Sequence, residues 1–167
     1  MTIAEDLRLR PLEPNDSGAF DNEKESQTLT VYLADQASGR RWVCVADWRG
    51  QLAGYVTLLW EADDRVLGAE GIPEISDLKV FAPFRRRGIG SALLDEVEAQ
   101  AATRSKTVGL NVGLHSGYGS AQRLYVRRGY LPDGSGMVIE GVTVPEGATI
   151  RLDDHPVVTL RMTKSLS

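Results

Sequence analysis

The chain has 167 residues, of which 42% are hydrophobic and 25% are charged, a size and composition typical of one globular domain with its own core. The formal net charge of −4 argues against a general nucleic-acid binder, which would present a basic face. No apolar run is long enough for a membrane span, and the first residues lack the basic-then-apolar order of a signal peptide. We therefore expect a single domain over residues 1–167, located in the cytoplasm, with no nucleic-acid or membrane partner.

Cysteine and histidine are too scarce for the common metal or disulfide frameworks. The single cysteine, Cys44, lies in an apolar run and is expected to be a buried thiol. The two histidines, His115 and His155, are far apart in the sequence, so we expect no zinc site and no metal cofactor.

The first 71 residues predict a strand, a helix, a hairpin and a loop. Alternating apolar and basic residues predict a strand at 7–10, and apolar residues at helical spacing predict a helix over 25–37. Two strand-like runs, 41–48 and 51–60, meet around Arg49 and Gly50, which predicts a hairpin. Residues 62–71 are polar and predict a loop.

The centre of the chain predicts a strand at 74–81, a basic glycine-rich loop, and a helix over 89–102. The loop consists of Arg85, Arg86, Arg87, Gly88, Ile89, Gly90 and Ser91. Glycine lets a ligand approach the backbone, and the first amides of a helix bind anions with the help of the helix dipole. We therefore expect a phosphorylated ligand at this loop. A Walker pattern is absent, and a G-x-G-x-x-G pattern fails because Leu93 stands at its last position.

The last 60 residues alternate between strands and a short helix. Residues 107–114 predict a strand whose one face carries small residues, so that something can pack close to it. Residues 116–128 predict a helix that ends at Gly129, and residues 132–136 give a dense turn signal. Strands are expected at 137–141, 142–150 and 156–163. The whole pattern predicts an α+β fold with a mixed, largely antiparallel sheet and one parallel crossover around the Arg-Gly loop.

Two motifs resemble signatures of the GNAT superfamily of acyl-CoA-dependent N-acyltransferases. The run RRRGIG at 85–90 matches the family pattern Gln/Arg-x-x-Gly-x-Gly/Ala. About 30 residues later, the run AQRLYVRRGY at 121–130 matches Ala-x-x-Leu-Tyr followed by a basic pair and Gly-Phe/Tyr. The resemblance covers residues 74–131 well. It implies a central sheet of six to seven strands, flanked by about four helices.

The resemblance also implies acetyl-CoA as co-substrate and an amine, in a small molecule or a peptide, as acceptor. Many family members carry Asn where this chain has Tyr118, so that contact with the pantetheine arm would pass to Ser120 or to backbone. The residues implied to bind the cofactor are Leu78, Lys79, Val80, Arg85, Arg86, Arg87, Gly88, Ile89, Gly90, Ser91 and Ser120. A backbone amide near Val80 would polarise the thioester carbonyl.

The resemblance implies Tyr125 as the acid that protonates the departing thiolate, and a phenol with pKa of about 10 is protonated at neutral pH. For the base that takes the proton of the amine, the strand at 74–81 offers Glu74 or Asp77, and water is the alternative. The position best aligned with the family's base is Ser76, which cannot serve at neutral pH.

Other readings stay open at this point. A non-catalytic CoA-binding module of the same fold would keep the loop, and a nucleotide-binding module is disfavoured by the missing loop patterns. Acidic residues in segments expected near the acceptor would suit a cationic amine such as an aminoglycoside, polyamine or lysine; they are Glu23, Glu25, Asp63, Asp64 and Glu70. Exposed strand edges toward the C-terminal end could pair subunits into a homodimer.

Overall fold

The structure is a computed structural model that describes residues 3–19, 23–154 and 157–167. The chain divides into two compact units, Met1–Trp60 with Ile75–Gln100, and Glu61–Glu74 with Ala101–Ser167. The described residues form eight strands and five α-helices, which confirms the predicted α+β class. The strands outnumber the six to seven expected. The additional helix, α1 (Ile3–Asp6), is a single turn.

The strands of the first unit follow the order β1-β2-β3-β4. They are β1 (Leu7–Pro11), β2 (Arg41–Trp48), β3 (Gln51–Leu59) and β4 (Glu74–Val80). Antiparallel pairing joins β1 to β2 and β2 to β3. The predicted hairpin is confirmed: its two turn residues, Arg49 and Gly50, have φ values of 51° and 81°, as a tight two-residue turn requires.

Two longer helices complete this unit, α2 (Glu23–Ser38) and α4 (Ile89–Ala102). The apolar stripe predicted for α4 is buried, and it consists of Ile89, Leu93, Val97 and Ala101. A second buried cluster joins α2 to β2 and β3; it contains Leu12, Leu29, Tyr32, Val43, Val45 and Tyr55. Cys44 is buried as predicted, and burial raises the pKa of its thiol to about 12.

The strands of the second unit follow the order β5-β8-β6-β7. They are β5 (Thr107–Gly113), β6 (Leu131–Ile139), β7 (Val142–Thr143) and β8 (Thr159–Ser165), and the pairings β5–β8, β8–β6 and β6–β7 are antiparallel. Two helices belong to this unit, α3 (Arg65–Glu70) and α5 (Gly119–Arg127). In the β5–β8 register, Asn111 lies opposite Arg161 and Gly113 opposite Thr159.

The predicted secondary structure is wrong at two places in this unit. The segment 62–71, predicted as a loop, contains α3, because Asp64 caps the backbone amides of Val66 and Leu67, and Gly71 ends the helix at φ 67°. The turn signal at 132–136 lies inside β6, where the pairing with β8 shifts register between Pro132 and Met137.

The C-terminal strands also differ in extent from the prediction. The strand predicted over 142–150 ends at Thr143, and the last strand begins at Thr159 instead of residue 156.

Candidate functional site

A cavity of about 410 Å³ in the second unit is lined largely by acidic side chains. Its lining consists of Asp63, Asp64, Glu74, Asn111, Glu140, Gly141, Val157 and Thr159. The part of this lining that the structure describes therefore brings four carboxyl groups together and includes no lysine or arginine. Such a cavity attracts cations and disfavours anions.

The start of α3 is held against the β6–β7 turn, and this contact shapes one wall of the cavity. The backbone amide of Arg65 donates to the carbonyl of Gly141 at 3.1 Å. A Cβ at Gly141 would lie 3.1 Å from both the Asp63 carbonyl oxygen and Asp64 Cα, so the turn needs a residue without a side chain. Gly141 also has φ 75°, which glycine adopts most readily.

α3 packs against the face of β5 that carries the small residues. The alternation in residues 107–114 had predicted that something would pack close to this face. A Cβ at Gly109 would lie 2.6 Å from Leu67 Cδ2, so the Leu67 side chain occupies the space that glycine leaves. The amide of Gly109 also donates to the carbonyl of Pro73 at 3.0 Å. These contacts bring Asp64, Glu74 and Asn111 to one place.

Glu74 is a buried carboxyl group in this cavity, with 8% of its surface exposed. Its Oε2 accepts the backbone N–H of Asp64 at 3.1 Å, and its Oε1 accepts Asn111 Nδ2 at 3.3 Å. Burial raises the pKa of Glu74, and the charges of Asp64 and Asp63 raise it further, outweighing the opposite effect of those hydrogen bonds. A carboxyl group with a raised pKa is suited to take and release a proton near neutral pH.

Arg161 is fully buried beside Asp64 and holds two carboxylates. Its Nε donates to both oxygens of Asp64 at 2.9 Å, and its Nη1 donates to Asp133 Oδ2 at 3.0 Å and to Ser135 Oγ at 2.6 Å. Burial alone would raise the pKa of Asp133, but hydrogen bonds from Ser135 and Arg161 lower it below its usual value. Within the described chain, Arg161 Nη2 is buried without a hydrogen-bond partner.

Sequence reasoning missed Arg161, Asn111 and Asp133 as members of this network. Arg161 and Asp64 are 97 positions apart in sequence, so no local motif joins them. One signal was available: Arg161 stands between Leu160 and Met162 in an apolar strand, where a charged side chain needs a partner.

Asp77, the other carboxylate proposed as base, has a different environment in the first unit. The hydroxyl of Tyr32 donates to Asp77 Oδ2, and Arg41 Nη1 lies 3.8 Å from the same oxygen. Burial, followed by the charge of Asp77, raises the pKa of Tyr32. Glu74 and Asp77 lie on opposite faces of β4, so the strand does not bring them together, and Ser76 is exposed.

The basic loop has the conformation of an anion site at the start of α4. Arg86 and Gly88 have φ values of 63° and 77°. The first helical hydrogen bond runs from the Ala92 amide to the Gly88 carbonyl at 3.0 Å, which leaves the preceding amides without helical acceptors. Those amides belong to Ile89, Gly90 and Ser91. Ile89 is buried and anchors the turn, whereas the three arginines are exposed.

Two of the three arginines are held by neighbours in the same unit. Arg85 Nε donates to the Val80 carbonyl at 3.1 Å, and the Arg87 guanidinium carbon lies 5.4 Å from the Trp48 ring centroid. The adjoining end of β4 carries the other cofactor candidates, Leu78, Lys79 and Val80, all half-buried.

The second motif places one aromatic residue, Tyr125, near the end of α5 and another, Tyr130, just after that helix. Tyr125 is 8% exposed, and its ring meets that of Tyr130 edge-on at 5.6 Å. Ser120 is exposed. Tyr118, which stands where the family often has Asn, lies against Gly113 and meets His115 edge-on at 4.7 Å.

Of the remaining acidic candidates, Glu70 is exposed and is not part of the cavity lining. The side chains of Glu23 and Glu25, and the whole of His155, lie outside the described residues. Among the residues that are described, no group of three or more His, Cys, Asp or Glu side chains is placed to hold a metal ion. None of the described helices is both long enough and apolar enough to cross a membrane.

Three solved acetyltransferase structures share the fold of this chain. A GNAT family acetyltransferase from Elizabethkingia anophelis with acetyl-CoA bound is 19% identical (TM-score 0.62; 97% of this chain and 99% of that chain covered). The spermidine N-acetyltransferase from Vibrio cholerae in complex with CoA and spermine is 16% identical (TM-score 0.65; 97% and 96% covered). The ribosomal-protein-S18-alanine N-acetyltransferase from Escherichia coli is 18% identical (TM-score 0.66; 96% and 94% covered).

At these identities, the structural similarity shows the fold alone. None of the curated proteins compared by sequence matches this chain. The sequence model described as the acetyltransferase (GNAT) family matches residues 4–130, which include both motifs. The chain therefore belongs to the GNAT family of acetyltransferases.

Proposed function

We propose that the protein is an N-acetyltransferase that moves the acetyl group of acetyl-CoA directly to a primary amine while both substrates are bound. Membership in an acetyltransferase family implies the acyltransferase activity. The acidic cavity around Glu74 is the observation that favours an amine as the acceptor. An amine arrives in water as a cation, which four carboxyl groups attract, and it must lose a proton before it can attack.

Acetyl-CoA would be held by the loop at the start of α4. The amides of Ile89, Gly90 and Ser91 would donate to its diphosphate, and the exposed side chains of Arg85 to Arg87 would add positive charge. The backbone of β4 near Val80 would contact the pantetheine arm and polarise the thioester carbonyl, with Ser120 as a further contact. The last three assignments follow from the family resemblance.

Starting from the ammonium cation, the nitrogen loses two protons and the departing sulfur gains one. Glu74 takes the first proton, because its raised pKa suits a base and it lines the acidic cavity, and passes it to solvent. The neutral nitrogen then attacks the thioester carbon, a C–N bond forms, the C–S bond breaks, and Glu74 takes the second proton. Tyr125 gives its phenolic proton to the departing sulfur, and exchange with solvent restores both side chains. We favour Glu74 over Asp77, because Glu74 lines the acidic cavity and Asp77 is not part of that lining.

The test is amine-dependent release of free CoA thiol from acetyl-CoA across a panel of spermidine, a lysine ester, an aminoglycoside and an alanine-terminated peptide. A thiol reagent can be used on the folded protein because Cys44 is only 3% exposed. We expect release with at least one amine, acetylated product by mass spectrometry, and a loss of about 10²- to 10⁴-fold in kcat for Glu74→Gln. CoA binding without release for any amine would instead indicate a non-catalytic CoA-binding module.

A further inference from the structure

Two carboxyl groups in the cavity share one amide. Asn111 Nδ2 donates to Asp64 Oδ2 at 2.9 Å and to Glu74 Oε1 at 3.3 Å. The backbone amide of Asp64 donates to the other Glu74 oxygen at 3.1 Å. Asp64 and Glu74 are therefore neighbours whose charges act on each other at close range.

The orientation of this shared amide is fixed from its other end. The Thr159 hydroxyl lies 3.3 Å from Asn111 Oδ1 and 3.2 Å from the Val138 carbonyl, and it can donate to either. With its oxygen directed to Thr159, Asn111 presents its N–H groups to the two carboxyl groups.

The two carboxyl groups differ in their access to positive charge. Asp64 receives the Nε–H of Arg161 on both oxygens, and both residues have fully buried side chains. Glu74 receives hydrogen bonds only from neutral groups among its described contacts, the Asn111 amide and the Asp64 backbone. Asp64 therefore has a buried cationic partner, whereas Glu74 has none among its described contacts.

We infer that Asp64 is a positioning residue: paired with the buried Arg161, it lies next to Glu74, so that Glu74 becomes the group that exchanges the proton. This inference depends on the proposed function in one respect: the proton that Glu74 exchanges is taken to come from the acceptor amine. The buried Arg161 supports it: a guanidinium with one unpartnered amino group is a costly way to stabilise a core, and an apolar side chain would serve that purpose better.

The other charged groups in this part of the unit are Asp63, Glu140, Arg161 and Asp133. Asp63 raises the pKa of Glu74, and Glu140 lines the same cavity from the β6–β7 turn. Arg161 binds Asp64 through Nε and Asp133 through Nη1. Removing the charge of Asp64 should therefore lower the pKa of Glu74, whereas removing that of Asp133 should leave it in place.

The test compares Asp64→Asn with Asp133→Asn. Asn keeps the N-cap of α3, and Asp133 remains as a charged partner of Arg161, so Asp64→Asn should fold with reduced stability; Asp64→Ser is a second neutral variant with a good capping residue. The titration of Glu74 is followed by carboxyl ¹³C NMR on protein labelled in its glutamates, with the signal assigned by Glu74→Gln. The pH dependence of kcat/KM is measured on the same variants, and its decrease toward low pH, the acid limb, is compared among them.

We expect the Glu74 titration midpoint to fall by about one pH unit or more in Asp64→Asn, and the acid limb of kcat/KM to move with it. In Asp133→Asn both should stay at their wild-type positions. An unmoved midpoint in both neutral variants of Asp64, or an equal shift in Asp133→Asn, would overturn the inference. A shifted midpoint in a protein that acetylates no amine would refute the proposed function and leave the control of Glu74 by Asp64 in place.

Discussion

The ring of Tyr118 lies directly against the backbone of Gly113. A Cβ built on Gly113 would stand 2.2 Å from Tyr118 Cδ2 and 2.4 Å from Cε2. Gly113 ends β5, and Tyr118 immediately precedes α5, the helix that carries Tyr125. The Gln122 side chain also donates to the Gly113 carbonyl at 2.8 Å. The absence of a side chain at Gly113 therefore determines how α5 packs after β5.

Gly113→Ala should destabilise the protein, because the new methyl group must displace an aromatic ring. We expect a loss of about 1–3 kcal/mol in the free energy of unfolding, measured by urea denaturation. Gly119→Ala is the matched control: Gly119 is the first residue of α5, a Cβ there meets nothing within 4 Å, and its φ of −56° is helical. That variant should keep or slightly increase the stability of the wild type. Equal stability of Gly113→Ala and Gly119→Ala would contradict the packing argument.

Gly90→Leu, with Gly90→Ala as its matched control, separates ligand binding from stability. A Cβ at Gly90 meets only Val80 Cγ2 at 3.7 Å, which is ordinary contact, and alanine and leucine both favour the helix. We therefore expect both variants to fold. The KM for acetyl-CoA should rise about 10- to 100-fold in Gly90→Leu, because the larger side chain keeps the diphosphate away from the helix amides, and should change little in Gly90→Ala, because the family pattern accepts alanine at this position. An unchanged KM in Gly90→Leu would contradict the placement of the diphosphate at this loop.

Tyr125→Phe tests the proposed acid. Loss of the hydroxyl should lower kcat about 10²-fold, with little change in the dissociation constant of CoA. The matched control is Tyr130→Phe, which alters the partner ring of the same edge-on pair and has no proposed role in the reaction. Tyr130→Phe should keep its turnover, even if it loses stability. Full activity in Tyr125→Phe would show that water protonates the thiolate.

Glu74→Gln should have a pH-dependent effect on stability. The pKa of Glu74 is raised above 4.5, so the folded protein retains this proton at pH values where the unfolded chain has lost it. The stabilisation from that proton is present below pH 4.5 and is lost as the pH rises through the folded-state pKa. Glutamine does not titrate, so the variant should gain stability relative to the wild type as the pH rises from 4.5 into the neutral range.

Calorimetric unfolding of the wild type and Glu74→Gln across this range measures the difference directly. A constant difference in the free energy of unfolding at all pH values would mean that Glu74 has an ordinary pKa in the folded protein.

The parts of the fold that the sequence predicted are those set by local chemistry. The turn at Arg49 and Gly50, the strand-loop-helix unit around Gly88, and the alternating strand β5 each carry their signal within about ten residues. α3 was missed because six residues are too few to show a helical apolar period, and because its stability comes from the Asp64 cap and from Leu67 packed on Gly109. The part of β6 from residue 137 onward was predicted, but its bulged segment, 132–136, was not, because that segment has the composition of a turn.

The candidate site divides in the same way. Glu74 was named from its place on β4, and the loop at 85–91 from its pattern. Asn111 and Arg161 were not named as site residues, because their role depends on the register of β5 with β8, which a single sequence does not reveal. The distinction between Glu74 and Asp77 also needed tertiary contacts, since only the structure shows that Glu74, and not Asp77, lines the acidic cavity.

Titration calorimetry with CoA and with pantetheine tests the central claim most directly, because pantetheine lacks the diphosphate that the amides of Ile89, Gly90 and Ser91 are proposed to bind. We predict saturable heat of binding with CoA, weaker binding of CoA by Gly90→Leu, and no saturable heat with pantetheine. No heat with CoA on the folded wild-type protein, or equal affinity for CoA and pantetheine, would contradict the proposed cofactor site.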